Sequence, residues 1–172
     1  MLRAYGFSDV QQVVLAVNEV LNDDYNAEAE RLRAEEARRQ AELQQQLAEQ
    51  KEAEERRKAI QKIETAKIEI FSFDETALSP SQKLELNAIA DILNRYSDIK
   101  ILIVGHTCNI GFKNINHRKG LRRAEAGKEY LIEKGVARER ISIDSKGETQ
   151  PFVQNTSREN RQQNRRIEFV IE

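Results

Sequence analysis

The fold this sequence predicts is an α/β (α+β) sandwich, one mixed β-sheet with helices on one face, preceded by a long N-terminal α-helix. Three observations carry that expectation. Residues 27–66 contain neither Gly nor Pro. Just after Ala66 the spacing of apolar residues changes from helical to alternating. From Lys67 to the C-terminus, strand-like and helix-like segments take turns, the pattern of sheet-and-helix layers.

Val10, Val13, Val14, Val17 and Leu21 recur at helical spacing, with Ser8 or Asp9 available as cap, so residues 1–25 are expected to hold a short amphipathic helix. Its apolar stripe needs a partner: the chain's own domain, a second copy joining through the N-terminal helices, or a further segment of a larger protein. No basic residue lies between Val10 and Leu21, which disfavours an anionic membrane surface. The Asn22-Asp23-Asp24 run reads as a break. Residues 26–66, rich in Ala, Glu, Arg, Gln, Lys and Leu, then read as a charged helical stalk, and forty helical residues extend about 60 Å. Leu32, Leu43, Leu47, Ile60 and Ile63 hold no a/d heptad, so the expected role is a spacer with weak self-association, ahead of a strong coiled coil.

Lys67 to Phe71 alternates as a half-buried strand. Ser79 is an N-cap with Pro80 at the first helical position, and the expected apolar face of that helix is Leu84, Ala88, Ile89, Ile92 and Leu93. Ile99 to Val104 is a nearly continuous apolar run, read as a central strand. It leads into a loop through Gly105 and Gly111. A second helix is expected from about Gly120 to Lys134, ended by Gly135. Arg140 to Ile143 reads as a third strand, residues 147–157 as a loop, Arg158 to Gln163 as a short helix and Arg166 to Ile171 as the last strand. Residues 67–172 thus form the expected globular domain.

Composition narrows the function. Residues 1–66 carry 10 basic and 14 acidic side chains, and residues 67–172 carry 18 and 15, so an acidic arm precedes a mildly basic domain. The basic runs Arg118-Lys119-Arg122-Arg123 and Arg158-Arg161-Arg165-Arg166 have no aromatic residues interleaved as a stacking platform, which disfavours nucleic acid. Cys108 is the only cysteine, so no intrachain disulfide forms. No segment approaches the roughly 20 apolar residues of a membrane span. Met1 to Asp9 lacks the pattern of a signal peptide, so a role outside the cytoplasm implies a mature or excised piece of a larger protein. There is no zinc motif, phosphate-cradling glycine loop or nucleophile elbow. The expectation is a non-enzymatic protein without cofactor or metal.

Gly105-His106-Thr107, Gly111, Asn116, Arg123-Ala124, Gly147-Glu148, Pro151, Asn155 and Asn164-Arg165-Arg166 follow one another, over residues 67–172, in a series that resembles the OmpA-like domain family. That resemblance implies non-covalent binding of the peptide stem of peptidoglycan, commonly through meso-diaminopimelate. It also implies a periplasmic location, joined to the outer membrane through a parent protein or an anchor absent from this chain. The ligand end carries an ammonium and a carboxylate on one carbon. A site for it needs an acid for the first and a planar arginine fork for the second.

Arg123 stands at the family's carboxylate-binding position. Within that motif Lys119 and Gly120 replace Leu and Ser, and Gly120 is expected to serve as N-cap without a side-chain cap. At Cys108 the family usually has Asp, whose carboxylate pairs with the ammonium. A free thiol is mostly protonated at neutral pH and supplies no such charge. Three outcomes then stand open: weaker binding of the same ligand, binding with another acid such as Glu148 or Asp74, or binding of a different wall fragment. A structural or oligomerisation module that has lost wall binding is the rival reading. Thr107 and Asn116 are the expected polar contacts and Phe73 the expected pocket wall. Arg165 is a candidate for a ligand carboxylate, while Arg166, alternating with Glu168, is expected to face solvent. His106 is read as a structural, hydrogen-bonded residue.

Overall fold

The computed structural model describes residues 7–68 and 76–172. It divides into two compact units, Met1–Ala53 and Glu54–Glu172.

The first unit is helical. Helix α1 (Phe7–Thr65) runs without interruption through Asn22-Asp23-Asp24, where the sequence suggested a break. Asn and Asp cost only a few tenths of a kcal/mol each relative to Ala in a helix, and cooperative flanks without Gly or Pro outweigh that. Val13, Val14, Val17 and Leu21 are more than half exposed. An i,i+4 pair, Arg38 Nε to Glu42 Oε1 at 3.0 Å, and a Gln45–Glu49 hydrogen bond of 2.9 Å support the helix from within. No helix among the described residues is long and apolar enough to cross a membrane.

The second unit takes in the last turns of α1, because Ile63 is fully buried in its core and Ala59 and Ile60 pack against it. Its elements are β1 (Lys67–Ile68), α2 (Pro80–Arg95), β2 (Ile101–His106), α3 (Lys113–Glu133), β3 (Ile141–Gly147), α4 (Arg158–Asn164) and β4 (Ile167–Ile171). The rest of the expected first strand, with Phe71 and Phe73, lies outside the described residues. The sheet order is β1-β4-β2-β3, with β2 and β3 parallel and the other pairs antiparallel, so the sheet is mixed as expected. Ile101 and Ile103 of β2 and Ile167 and Phe169 of β4 enter the core with Leu86, Ile89 and Leu93 of α2 and Leu131 of α3. Leu102, Glu168 and Val170 alternate onto the opposite face.

Ser79 caps α2 as expected, and Gln82 completes a capping box by accepting from Ser79 N at 2.7 Å. At the other end Arg140, from a 3-10 turn before β3, donates to the carbonyls of Leu93, Tyr96 and Ile99 at 2.7–2.9 Å. That clamp satisfies orphan C-terminal carbonyls and places a cation at the negative end of the helix. The core face of α2 differs from expectation: Leu84 is 71% exposed and Leu86 is fully buried. Leu86→Ala should therefore cost about 2–5 kcal/mol, and Leu84→Gln less than about 0.5 kcal/mol, in urea unfolding.

Helix α3 begins at Lys113 with Phe112 as N-cap, a full two turns before Gly120. Gly120 is therefore not a cap. It lies where α3 crosses β2. A Cβ on Gly105 would stand 1.8 Å from the Gly120 carbonyl oxygen, and a Cβ on Gly120 would stand 2.2 Å from Ser145 Oγ. This pair of glycines lets helix and strand backbones touch. The helix ends as expected, with Gly135 at φ +93°.

Candidate functional site

The close crossing of α3 over β2 fixes the candidate site at the C-terminal end of β2. There the chain leaves the sheet through Thr107 and Cys108, while α3 presents Asn116, Gly120 and Arg123 on its buried face. Arg123 is 1% exposed, and its Nη1 donates to the His106 carbonyl at 3.1 Å. Asn116 Nδ2 donates to the Cys108 carbonyl at 3.3 Å and also to the Glu148 carboxylate. Thr107, Cys108, Asn116 and Arg123 are thus gathered at one end of one strand, with Glu148 attached to them through Asn116.

The Cys108 thiol is 2% exposed. Thr107 N donates to the Gly147 carbonyl at 2.8 Å, so that N–H is committed to the fold. The Thr107 hydroxyl is buried and has no hydrogen-bond partner among the described residues. Arg165 closes α4 as its C-cap, its N–H on the Gln162 carbonyl, with a half-buried side chain. Phe73 and Asp74 lie outside the described residues.

Arg166 corrects its expected place: it is 3% exposed, not solvent-facing. Strand alternation does point it and Glu168 to the same face. That face is covered here by the 147–157 loop, so alternation alone misjudged its burial. Arg166 Nε donates to Glu168 Oε1 at 2.8 Å, and its Nη2 donates to the Gln150 carbonyl at 3.3 Å. His106 also departs from expectation: equally buried, it places Nε2 3.4 Å from Glu168 Oε2, but neither ring nitrogen has a hydrogen-bond partner among the described residues. The neighbouring His106 ring, with Arg166 adding to the effect and burial opposing, holds the Glu168 carboxyl down to about 2 from an ordinary 4.5.

A carboxyl depressed in the folded state contributes stability above its unfolded value and loses it as pH falls through the folded one. Urea unfolding should therefore show stability declining from pH 4.5 toward about 2. Glu168→Gln should flatten that segment, and an unchanged slope would assign acid sensitivity to other groups.

The sequence reading missed Asn164. Fully buried, its Oδ1 accepts from Phe152 N and Val153 N at 2.8 and 3.0 Å, and its Nδ2 donates to the Val153 carbonyl and Asn155 Oδ1 at 2.7 and 2.9 Å. Asn155 Oδ1 also accepts from Asn109 N at 3.4 Å, stitching the loop after Cys108 to the loop before α4. Only the Asn164-Arg165-Arg166 run marked it in the sequence. Also missed was an open groove of about 510 Å³ between the first turns of α3 and the end of β3, lined by Lys113, His117, Arg118, Lys146, Glu148 and Thr149 among others.

Known proteins share this fold. The peptidoglycan-associated lipoprotein of Burkholderia pseudomallei superposes with a TM-score of 0.58 at 28% identity, covering 60% of this chain and 88% of that one. The C-terminal domain of Helicobacter pylori MotB gives 0.58 at 25% identity, covering 62% and 84%. In sequence, the peptidoglycan-binding protein ArfA of Mycobacterium tuberculosis is 35% identical over 101 residues, 59% of this chain and 31% of that protein. The peptidoglycan-associated lipoprotein of Legionella pneumophila is 32% identical over 103 residues, 60% and 58%. Outer membrane porin F of Pseudomonas fluorescens is matched over 31% of its length, so the chain spans from about a third to just over half of these relatives. The model of the OmpA family matches residues 70–165, more than half of the sequence. The chain belongs to the OmpA family.

Proposed function

We propose that the chain binds peptidoglycan non-covalently and ties the structure that carries it, at the periplasmic side of an outer membrane, to the cell wall. The observation that carries this reading is the gathering of Arg123, Asn116, Thr107 and Glu148 around the end of β2 in a chain of this family. Relatives named as peptidoglycan-binding and peptidoglycan-associated support it. In this reading the ligand is the diaminopimelate end of a stem peptide. Arg123 faces its carboxylate, and Glu148 takes the ammonium in place of the Asp that Cys108 replaces. The Thr107 hydroxyl, buried without a partner among the described residues, is an acceptor and donor held ready for that ligand. The protein acts by adhesion and performs no covalent chemistry.

The test is co-sedimentation with purified sacculi. Retention that free meso-diaminopimelate competes away supports the reading. A chain shown by circular dichroism to be folded, yet left in the supernatant, sinks it. The rival reading, an assembly module joined through the exposed valine stripe of α1, would then be favoured if the same sample is dimeric.

A further inference from the structure

The basic run that the sequence displays near the start of α3 divides in the structure. Arg123 turns inward to the site, whereas Lys113 and Arg118 line the groove beside β3. Among the described residues Lys113 and Arg118 have no ion-pair or hydrogen-bond partner. The third cation of the groove, Lys146, is engaged by Asp144 Oδ2 at 2.6 Å. Glu148, the groove's acid, accepts a hydrogen bond from Asn116. Lys113 and Arg118 therefore stand without a direct ion pair in a groove whose three cations outnumber its one acid, Glu148. They stand, moreover, at the positive end of a helix whose first turn holds no acid and whose cap makes no side-chain hydrogen bond. Like charges gathered there raise the energy of the empty groove and are relieved by an anion.

We propose that this groove is a second contact for the wall, taking a carboxylate of the stem peptide on Lys113 and Arg118 while the diaminopimelate end occupies the Arg123 site. The inference rests on the peptidoglycan reading above. Glu148 belongs to both places, since it lines the groove and is joined through Asn116 to the Cys108 carbonyl. A stem peptide leaving the first site therefore enters the second. The lining favours a peptide over a nucleic acid. Glu148 and the adjacent Asp144 repel a continuous polyanion, and no Phe, Tyr or Trp lines the groove as a stacking platform, His117 being its one ring. Isolated carboxylates separated by amides match its alternation of Lys113, Asn114, Arg118, Glu148 and Thr149.

The test is a titration with the dipeptide of γ-linked glutamate and meso-diaminopimelate, followed by backbone NMR. Residues 113–118 and 146–149 are expected to shift together with those around Arg123. The double variant Lys113→Gln, Arg118→Gln should bind about tenfold more weakly at low salt, with a flatter salt dependence. Amidating the glutamate carboxylate should remove the same factor from the parent and nothing from the variant. A variant that binds like the parent at every salt concentration overturns the proposal. Shifts confined to the surroundings of Arg123 overturn it while leaving the wall reading intact. A parent that binds neither dipeptide nor sacculi overturns both.

Discussion

Gly105→Ala is expected to leave the C-terminal unit unable to reach its native packing, with a loss of more than about 4 kcal/mol. The added methyl would lie 1.8 Å from the carbonyl oxygen of Gly120 and 2.4 Å from its carbonyl carbon. Both are backbone atoms, so no rotamer change relieves the clash; α3 must lift off β2. That lift would also separate Asn116 from the Cys108 carbonyl and Arg123 from the His106 carbonyl, so the variant should lose its site along with its fold. Gly120→Ala is the informative companion. Its nearest obstacle is the Ser145 hydroxyl at 2.2 Å, followed by the Gly105 carbonyl oxygen at 2.8 Å. Ser145→Ala in the same chain should recover part of the loss for Gly120→Ala and none for Gly105→Ala. Thermal unfolding of the four variants checks this, and a native-like melting temperature for Gly105→Ala would refute the packing argument.

Arg123→Ala is expected to abolish retention on sacculi and to destabilise the fold by about 3 kcal/mol. The two effects share one cause. The guanidinium is 1% exposed and holds the His106 carbonyl at 3.1 Å, so truncation leaves a cavity and strips a partner from a buried carbonyl. Arg123→Lys separates them. A lysine restores charge and most of the volume but not the planar fork. It should keep more than half of the stability while binding sacculi at least tenfold more weakly. Equal binding by the lysine variant would mean that a point charge suffices, and would remove the bidentate contact from the proposed site.

The features read correctly from the sequence are those written in local chemistry. Ser79-Pro80 at a helix start, Gly135 at a helix end and the alternating apolar strands each depend on neighbours within a few residues. The misread features depend on what arrives from elsewhere in the chain. Helix α2 carries two overlapping apolar stripes, and only the approach of α3 and the end of α1 decides that Leu86 is buried and Leu84 exposed. Gly120 looked like a weakened cap because it stands at the family motif's Ser position, the expected start of the second helix. Its use as a crossing point requires Gly105 to be known as the facing residue. Arg140 and Asn164 act through backbone carbonyls and amides, which leave no pattern in the side chains they serve. At the site, the family series named Thr107, Asn116 and Arg123, but the link from Asn116 to Glu148 appears only when the end of β3 meets α3.

A single residue, Ala66, separates the end of α1 from the start of β1, and its N–H is bonded to the Ile63 carbonyl at 3.1 Å. The joint therefore contains no slack. Tension applied along the final turns of α1 is delivered at once to the sheet, at the outermost strand and to the socket that holds Ile63. The Arg56–Asp98 and Glu55–Arg95 ion pairs brace the same turns from outside. Solvent-exposed bridges yield at little cost, whereas extracting a buried isoleucine costs far more. Under load the braces give way before the socket does. The grip of the helix on the domain is then graded: compliant at first, and firm once only the hydrophobic seat remains.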